Sequence, residues 1–218
     1  MRKRLMMSAE DALNRLQEGN RRFVSGVRSV DAFISQMNRN DLLTGQNPFA
    51  IILGCSDSRV PAEIIFDQGL GDLFVIRVAG NIVAPSQIGS VEFSVEQYGT
   101  PLVVVLGHSL CGAVIATLEA LERPAEGESC NVLSIVSRIR PSVESLFETE
   151  LRDNPEHLLH AAVRSNIRAS VNQLRHGSPI LEKLVSQSKL EIVGAQYFLE
   201  TGEVSFFDRL PAVPHEHA

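Results

Sequence analysis

Two short segments concentrate the residues able to do chemistry: Cys55-Ser56-Asp57-Ser58-Arg59 and His108-Ser109-Leu110-Cys111. Two thiols, one imidazole and one carboxylate form a donor set that suits Zn2+ in tetrahedral geometry. Sulfur donors argue against Mg2+ and Ca2+, which take oxygen ligands. The C-x-D and H-x2-C spacings put two donors on each of two turns. Read singly, Cys55 and Cys111 are small buried core residues and His108 is a satisfied core histidine. Read together, all four donors follow strand ends at ligand-like spacings, and the metal reading prevails. Two other motifs fail. GHSLCG would need glycine at Cys111 to be a nucleophile elbow. Gly69-Leu70-Gly71 opens a dinucleotide pattern, but Phe74 stands at the third glycine.

Each chemical segment follows an apolar run. Residues 49–54 (FAIILG), 73–77 (LFVIR) and 102–107 (LVVVLG) are continuous rather than alternating. That pattern fits strands buried on both faces of a parallel sheet. Helical stretches separate them: Pro61 to Phe66, Ser86 to Tyr98 and Gly112 to Leu121. Ser8 followed by Asp11 caps an N-terminal helical arm over about residues 8–24. Asn154-Pro155 and Ser178-Pro179 start two further helices, the first running through Leu158, Ala162, Val163, Asn166, Ile167 and Leu174. A fourth strand reads 190–194 and a fifth 204–207. Cys130 falls in a polar loop without a motif partner. The alternation predicts an α/β fold: a mainly parallel central β-sheet of four to five strands flanked by helices, with the helical arm in front. With the first and third strands adjacent, both segments face one crevice beyond the strand ends.

Composition bounds the rest. The 218 residues hold 44% hydrophobic and 21% charged side chains, ordinary globular values, and neither loose stretch (123–129 and 211–218) separates two cores. One domain over residues 1–218 is expected, with a flexible tail at 211–218. A net charge of −6 lacks the basic field that nucleic acid selects. No apolar run approaches a membrane span, and the basic start MRKRLMM has no apolar region behind it. Three cysteines suit no disulfide framework, so a reducing cytoplasm is the expected setting.

The ordered pair CSDSRVPAE and GHSLCGA, with LFVIRVAGN between, resembles the signature of the β-class carbonic anhydrases. The likeness spans roughly Ser8 to Phe207. It implies an α/β enzyme that reversibly hydrates carbon dioxide to bicarbonate and a proton through attack by a zinc-bound hydroxide. It also implies one Zn2+ per chain and a homo-oligomer, either a dimer or a dimer of dimers. Cys55, His108 and Cys111 resemble the three permanent metal ligands. Asp57 and Arg59 resemble a catalytic dyad in which the carboxylate either pairs with the arginine or ligates the metal itself. Gln46 matches a substrate-contacting glutamine, and Gly112 a glycine whose N–H faces substrate. Phe74 and Phe93 match pocket-lining positions, with Phe93 expected from a neighbouring subunit. Ile52 stands where some bacterial members carry the tryptophan of an inhibitory bicarbonate site, while Arg77 matches that site's basic residue.

Two thiolates offset the charge of the metal and weaken its pull on water. The expected compensation is Asp57, kept ionised by Arg59 and accepting a hydrogen bond that orients the nucleophile. Two alternatives use the same residues: hydrolysis of a related heterocumulene, and a structural or regulatory zinc protein whose fourth position Asp57 closes.

Overall fold

The computed structural model describes residues 7–30, 43, 45–123 and 129–207. Its centre is a five-stranded sheet made of β1 (Ala50–Gly54), β2 (Leu73–Arg77), β3 (Leu102–His108), β4 (Glu191–Tyr197) and β5 (Val204–Phe207), in the order β2-β1-β3-β4-β5. The first four strands pair in parallel and β5 closes antiparallel against β4. Every residue of β1 and β3 is buried, as their uninterrupted apolar runs require.

β1 and β3 are direct neighbours, with Gly54 beside Leu106. Their carboxyl ends therefore open at the same place. β3 runs one residue further than its apolar run suggests, so His108 belongs to the strand and pairs with Tyr197. β4 likewise starts after Leu190 and extends past Gly194, because the backbone ladder continues through polar Gln196.

Helices cover both faces. On one, α1 (Ala9–Val24) and α2 (Ala62–Ile65) join Ile52, Leu102, Val104 and Leu106 in a core centred on Phe66. The Ser8 hydroxyl accepts the Asp11 N–H at 3.0 Å and donates to the Asp11 carboxylate at 2.7 Å, which caps α1. On the other face lie α3 (Pro85–Tyr98), α4 (Gly112–Glu122), α5 (Cys130–Val143), α6 (Pro155–His176) and α7 (Pro179–Ser186). This second core contains Ile51, Val103, Val105, Ile139, Ile167 and Leu174, and also Cys55 and Cys111. Asn154 and Ser178 cap α6 and α7, accepting the N–H of His157 and Leu181.

Helix α5 corrects the sequence reading: Cys130 is the first residue of a helix, not part of a polar loop. Ser129 caps it, and Val136, Ile139 and Val143 bury one face. Pro141 near its end, with serines and arginines between, breaks up the apolar pattern. The proline sits two residues from the terminus and lacks the N–H that would bond the Ser137 carbonyl, and the chain passes into 3-10 turns at Glu144–Glu148 and Glu150–Asp153. Among the described residues no helix is long and apolar enough to cross a membrane. The tail at 211–218 lies outside the described residues.

Candidate metal centre

Cys55 is the first residue past β1, His108 the last of β3, and Cys111 the residue on which α4 begins. One ligand atom from each lies within 4.8 Å of the other two, and all three residues are buried. The ring of His108 is turned by its Nδ1, 2.8 Å from the Ser109 carbonyl. That contact puts an N–H on Nδ1 and leaves Nε2 as the nitrogen a metal would take. Nε2 is buried with no hydrogen-bond partner among the described residues. A soft sulfur–nitrogen–sulfur set with an orphaned imidazole nitrogen fits a zinc-type metal.

The two thiols act on each other. A hydrogen bond from Cys111 favours the Cys55 thiolate, with further help from His108 and the Gly80 N–H, so the first proton leaves readily. Cys111 is pushed up by that same contact with Cys55, then by burial, while the amides of Val114 and Ala113 work in the opposite direction.

Asp57 and Arg59 form a closed local unit. Nε of Arg59 donates to Oδ1 at 2.9 Å, Nη2 donates to Oδ2 at 2.7 Å, and the Arg59 N–H adds a third bond to Oδ1 at 2.9 Å. These contacts, led by the guanidinium, hold the Asp57 carboxyl well below the usual carboxylate range. Oδ2 stands 3.8 Å from His108 Nε2, so the ionised oxygen borders the space enclosed by the three donors.

The other expected residues divide into two groups. Gly112 is exposed at the start of α4, where first-turn amides lack helical partners. Gln46, Phe74 and Phe93 gather around Tyr98. The Gln46 amide donates to the Tyr98 hydroxyl at 2.9 Å, and the rings of Phe74, Phe93 and Tyr98 lie 6.0–6.3 Å apart. Phe93 thus packs on Phe74 of its own chain and keeps about half its surface open.

Sequence reasoning missed three contributors. Gly80 donates its N–H to Cys55 Sγ at 3.3 Å. Arg77, matched in the sequence only to the basic residue of an inhibitory site, donates to the Cys55 carbonyl at 3.0 Å and the Asp57 carbonyl at 2.5 Å, bracing the turn from behind. The Ser109 hydroxyl accepts the Leu199 N–H and donates to Glu200, which ties the His108 turn to the end of β4. Asn166 and Ser170, polar residues on the apolar face of α6, are the sequence signal for the Gly80 turn.

A family model described as carbonic anhydrase matches residues 50–204. Carbonic anhydrase 2 of Mycobacterium tuberculosis is 39% identical over 201 residues, covering 92% of this chain and 94% of that protein. The chain belongs to the β-carbonic anhydrase family. It resembles the solved β-carbonic anhydrase CcaA with a TM-score of 0.73 and 26% identity, over 93% of each chain. A β-carbonic anhydrase of Sordaria macrospora shares the fold at a TM-score of 0.71 and 22% identity, over 82% of this chain and 92% of its own. Carbonic anhydrases are lyases that act on carbon dioxide, and the β-carbonic anhydrases are metalloenzymes. The Cys-His-Cys group is where this carbonic anhydrase chain could hold its metal.

Proposed function

We propose that this chain catalyses reversible hydration of carbon dioxide to bicarbonate and a proton, using one Zn2+ held by Cys55, His108 and Cys111. The observation that carries the reading is the buried three-donor group bordered by an arginine-locked carboxylate. When bound, zinc supplies the Lewis acidity that makes water a nucleophile at neutral pH.

The chain's own residues do the rest. Asp57 stays ionised and accepts a hydrogen bond from the attacking oxygen, aiming its lone pair at carbon. Arg59 occupies both carboxylate oxygens, which favours the arrangement with Asp57 turned away from the metal. The Gly112 N–H, at the start of α4, and the Gln46 amide steady the oxygens of the forming bicarbonate. Phe74 and Phe93 offer apolar surface to an uncharged, apolar substrate. The exposed ring of Phe93 supports a homo-oligomer, a dimer or dimer of dimers, in which this side chain meets a second copy. The Sordaria macrospora protein is described as tetrameric. We place the enzyme in the cytoplasm, as a single domain whose partners are its substrate and its own copies, with no role for nucleic acid or membrane.

The test is stopped-flow carbon dioxide hydration by the purified, zinc-loaded protein from neutral to alkaline pH, with elemental analysis of the same sample. Turnover above the buffer blank and about one zinc per chain are expected. No turnover across that range would reject the reading.

A further inference from the structure

The polar residues of α6 stand out. Its buried face carries Leu158, Ala162, Val163, Ile167, Val171 and Leu174, yet Asn166 and Ser170 occupy the same stripe, one turn apart. Asn166 Nδ2 donates to the Gly80 carbonyl at 2.8 Å, and Ser170 Oγ donates to the Asn81 carbonyl at 3.0 Å. Those consecutive residues form a turn in which both have positive φ, 68° at Gly80 and 44° at Asn81. Glycine and asparagine are the residues that adopt that region most readily. The Gly80 N–H points at Cys55 Sγ. One residue therefore links the helix to the sulfur, through the two peptide groups on either side of its α-carbon.

We infer that Asn166 is a positioning residue for the metal centre: through the Gly80 carbonyl it fixes the turn whose N–H holds and polarises the Cys55 sulfur. The inference rests on the reading of Cys55 as a metal ligand. An N–H donated to a thiolate draws charge from sulfur and sets its direction. Losing Asn166 leaves the buried Gly80 carbonyl unpaired, so the turn relaxes and the sulfur loses its donor. Ser170 backs the same turn one residue on.

The test uses the full chain loaded with cobalt and compares wild type, Asn166→Leu and Leu174→Ala. Two quantities are read: the energy of the sulfur-to-cobalt charge-transfer band and metal retention against a chelator. In Asn166→Leu the band is expected to move to lower energy and metal affinity to fall about 10- to 100-fold. Leu174→Ala, a packing change on the same helix, should lower thermal stability while leaving the band in place. Where Asn166→Leu does not fold, Asn166→Ala carries the test, since it leaves space rather than an apolar group against the carbonyl. A folded Asn166 variant with wild-type band energy and wild-type retention overturns the inference while leaving the metal reading intact. A wild-type chain that takes up no cobalt overturns both.

Discussion

The carboxylate of Asp57 lies within van der Waals reach of the imidazole nitrogen, yet all its strong hydrogen bonds go to Arg59. Replacing it with asparagine removes the charge and keeps the shape. We expect Asp57→Asn to retain metal by elemental analysis and to lose turnover by about 100-fold or more, because orientation of the nucleophile is what it removes. The same pairing has a pH signature. Its folded pKa is depressed, so its contribution to stability is complete above the ordinary carboxylate pKa near ~3.9 and is lost as pH falls through the lower folded value. Urea unfolding of metal-free wild type and Asp57→Asn should differ by a constant amount in mild acid and converge in stronger acid. Leu110, between His108 and Cys111, sits at φ 54° with half its surface exposed. Asparagine tolerates that region better than leucine, so Leu110→Asn should raise stability by up to about 1 kcal/mol in the same assay.

Elements are joined where a missing side chain lets backbones touch. A Cβ at Gly19 of α1 would lie 1.8 Å from the Phe66 carbonyl oxygen, so α1 reaches the end of α2 only because this residue is glycine. Gly19→Ala should cost about 2–3 kcal/mol, read from the thermal midpoint, because neither backbone can yield cheaply. A Cβ at Gly80 would meet Ile139 at 2.7 Å and Ala113 at 3.0 Å, and the residue needs positive φ as well. Gly80→Ala should weaken metal retention against a chelator more than its loss of thermal stability predicts. Helix starts at Ser8, Asn154 and Ser178 were legible because a capping side chain and a following proline or acid act locally. Helix α5 was not legible, since Pro141 and the intervening polar residues hide a face that only packing against α4 and α6 reveals.

At the scale of the molecule, the sheet divides two cores, and the three donor atoms sit at the open end of one of them. The site is therefore packed against a core behind and opens in front, where Gly112, Arg59 and Leu110 reach the surface. Phe93, Leu70 and Ile64 are also large apolar side chains with much of their area open. Sedimentation of the zinc-loaded protein should give a dimer or tetramer mass. Phe93→Asp should shift that distribution towards monomer, because burying a charge in an apolar contact is costly. A wild-type protein that sediments as a monomer at all concentrations would remove the oligomer reading.

Parallel strands, helix caps and the donor segments at 55–59 and 108–111 followed from the sequence alone, because burial on both faces of a strand and capping by a near neighbour are written in adjacent residues. The adjacency of β1 and β3, which turns two separate segments into one group within 4.8 Å, is a property of the sheet order. So is the grip of Arg77 on the Cys55 turn. The link from Asn166 through Gly80 to Cys55 is more remote still, spanning 86 residues in its first bond and 25 in its second. Each such bond has a backbone group at one end, which every residue carries and no residue type announces. Only the folded arrangement decides which carbonyl meets which donor.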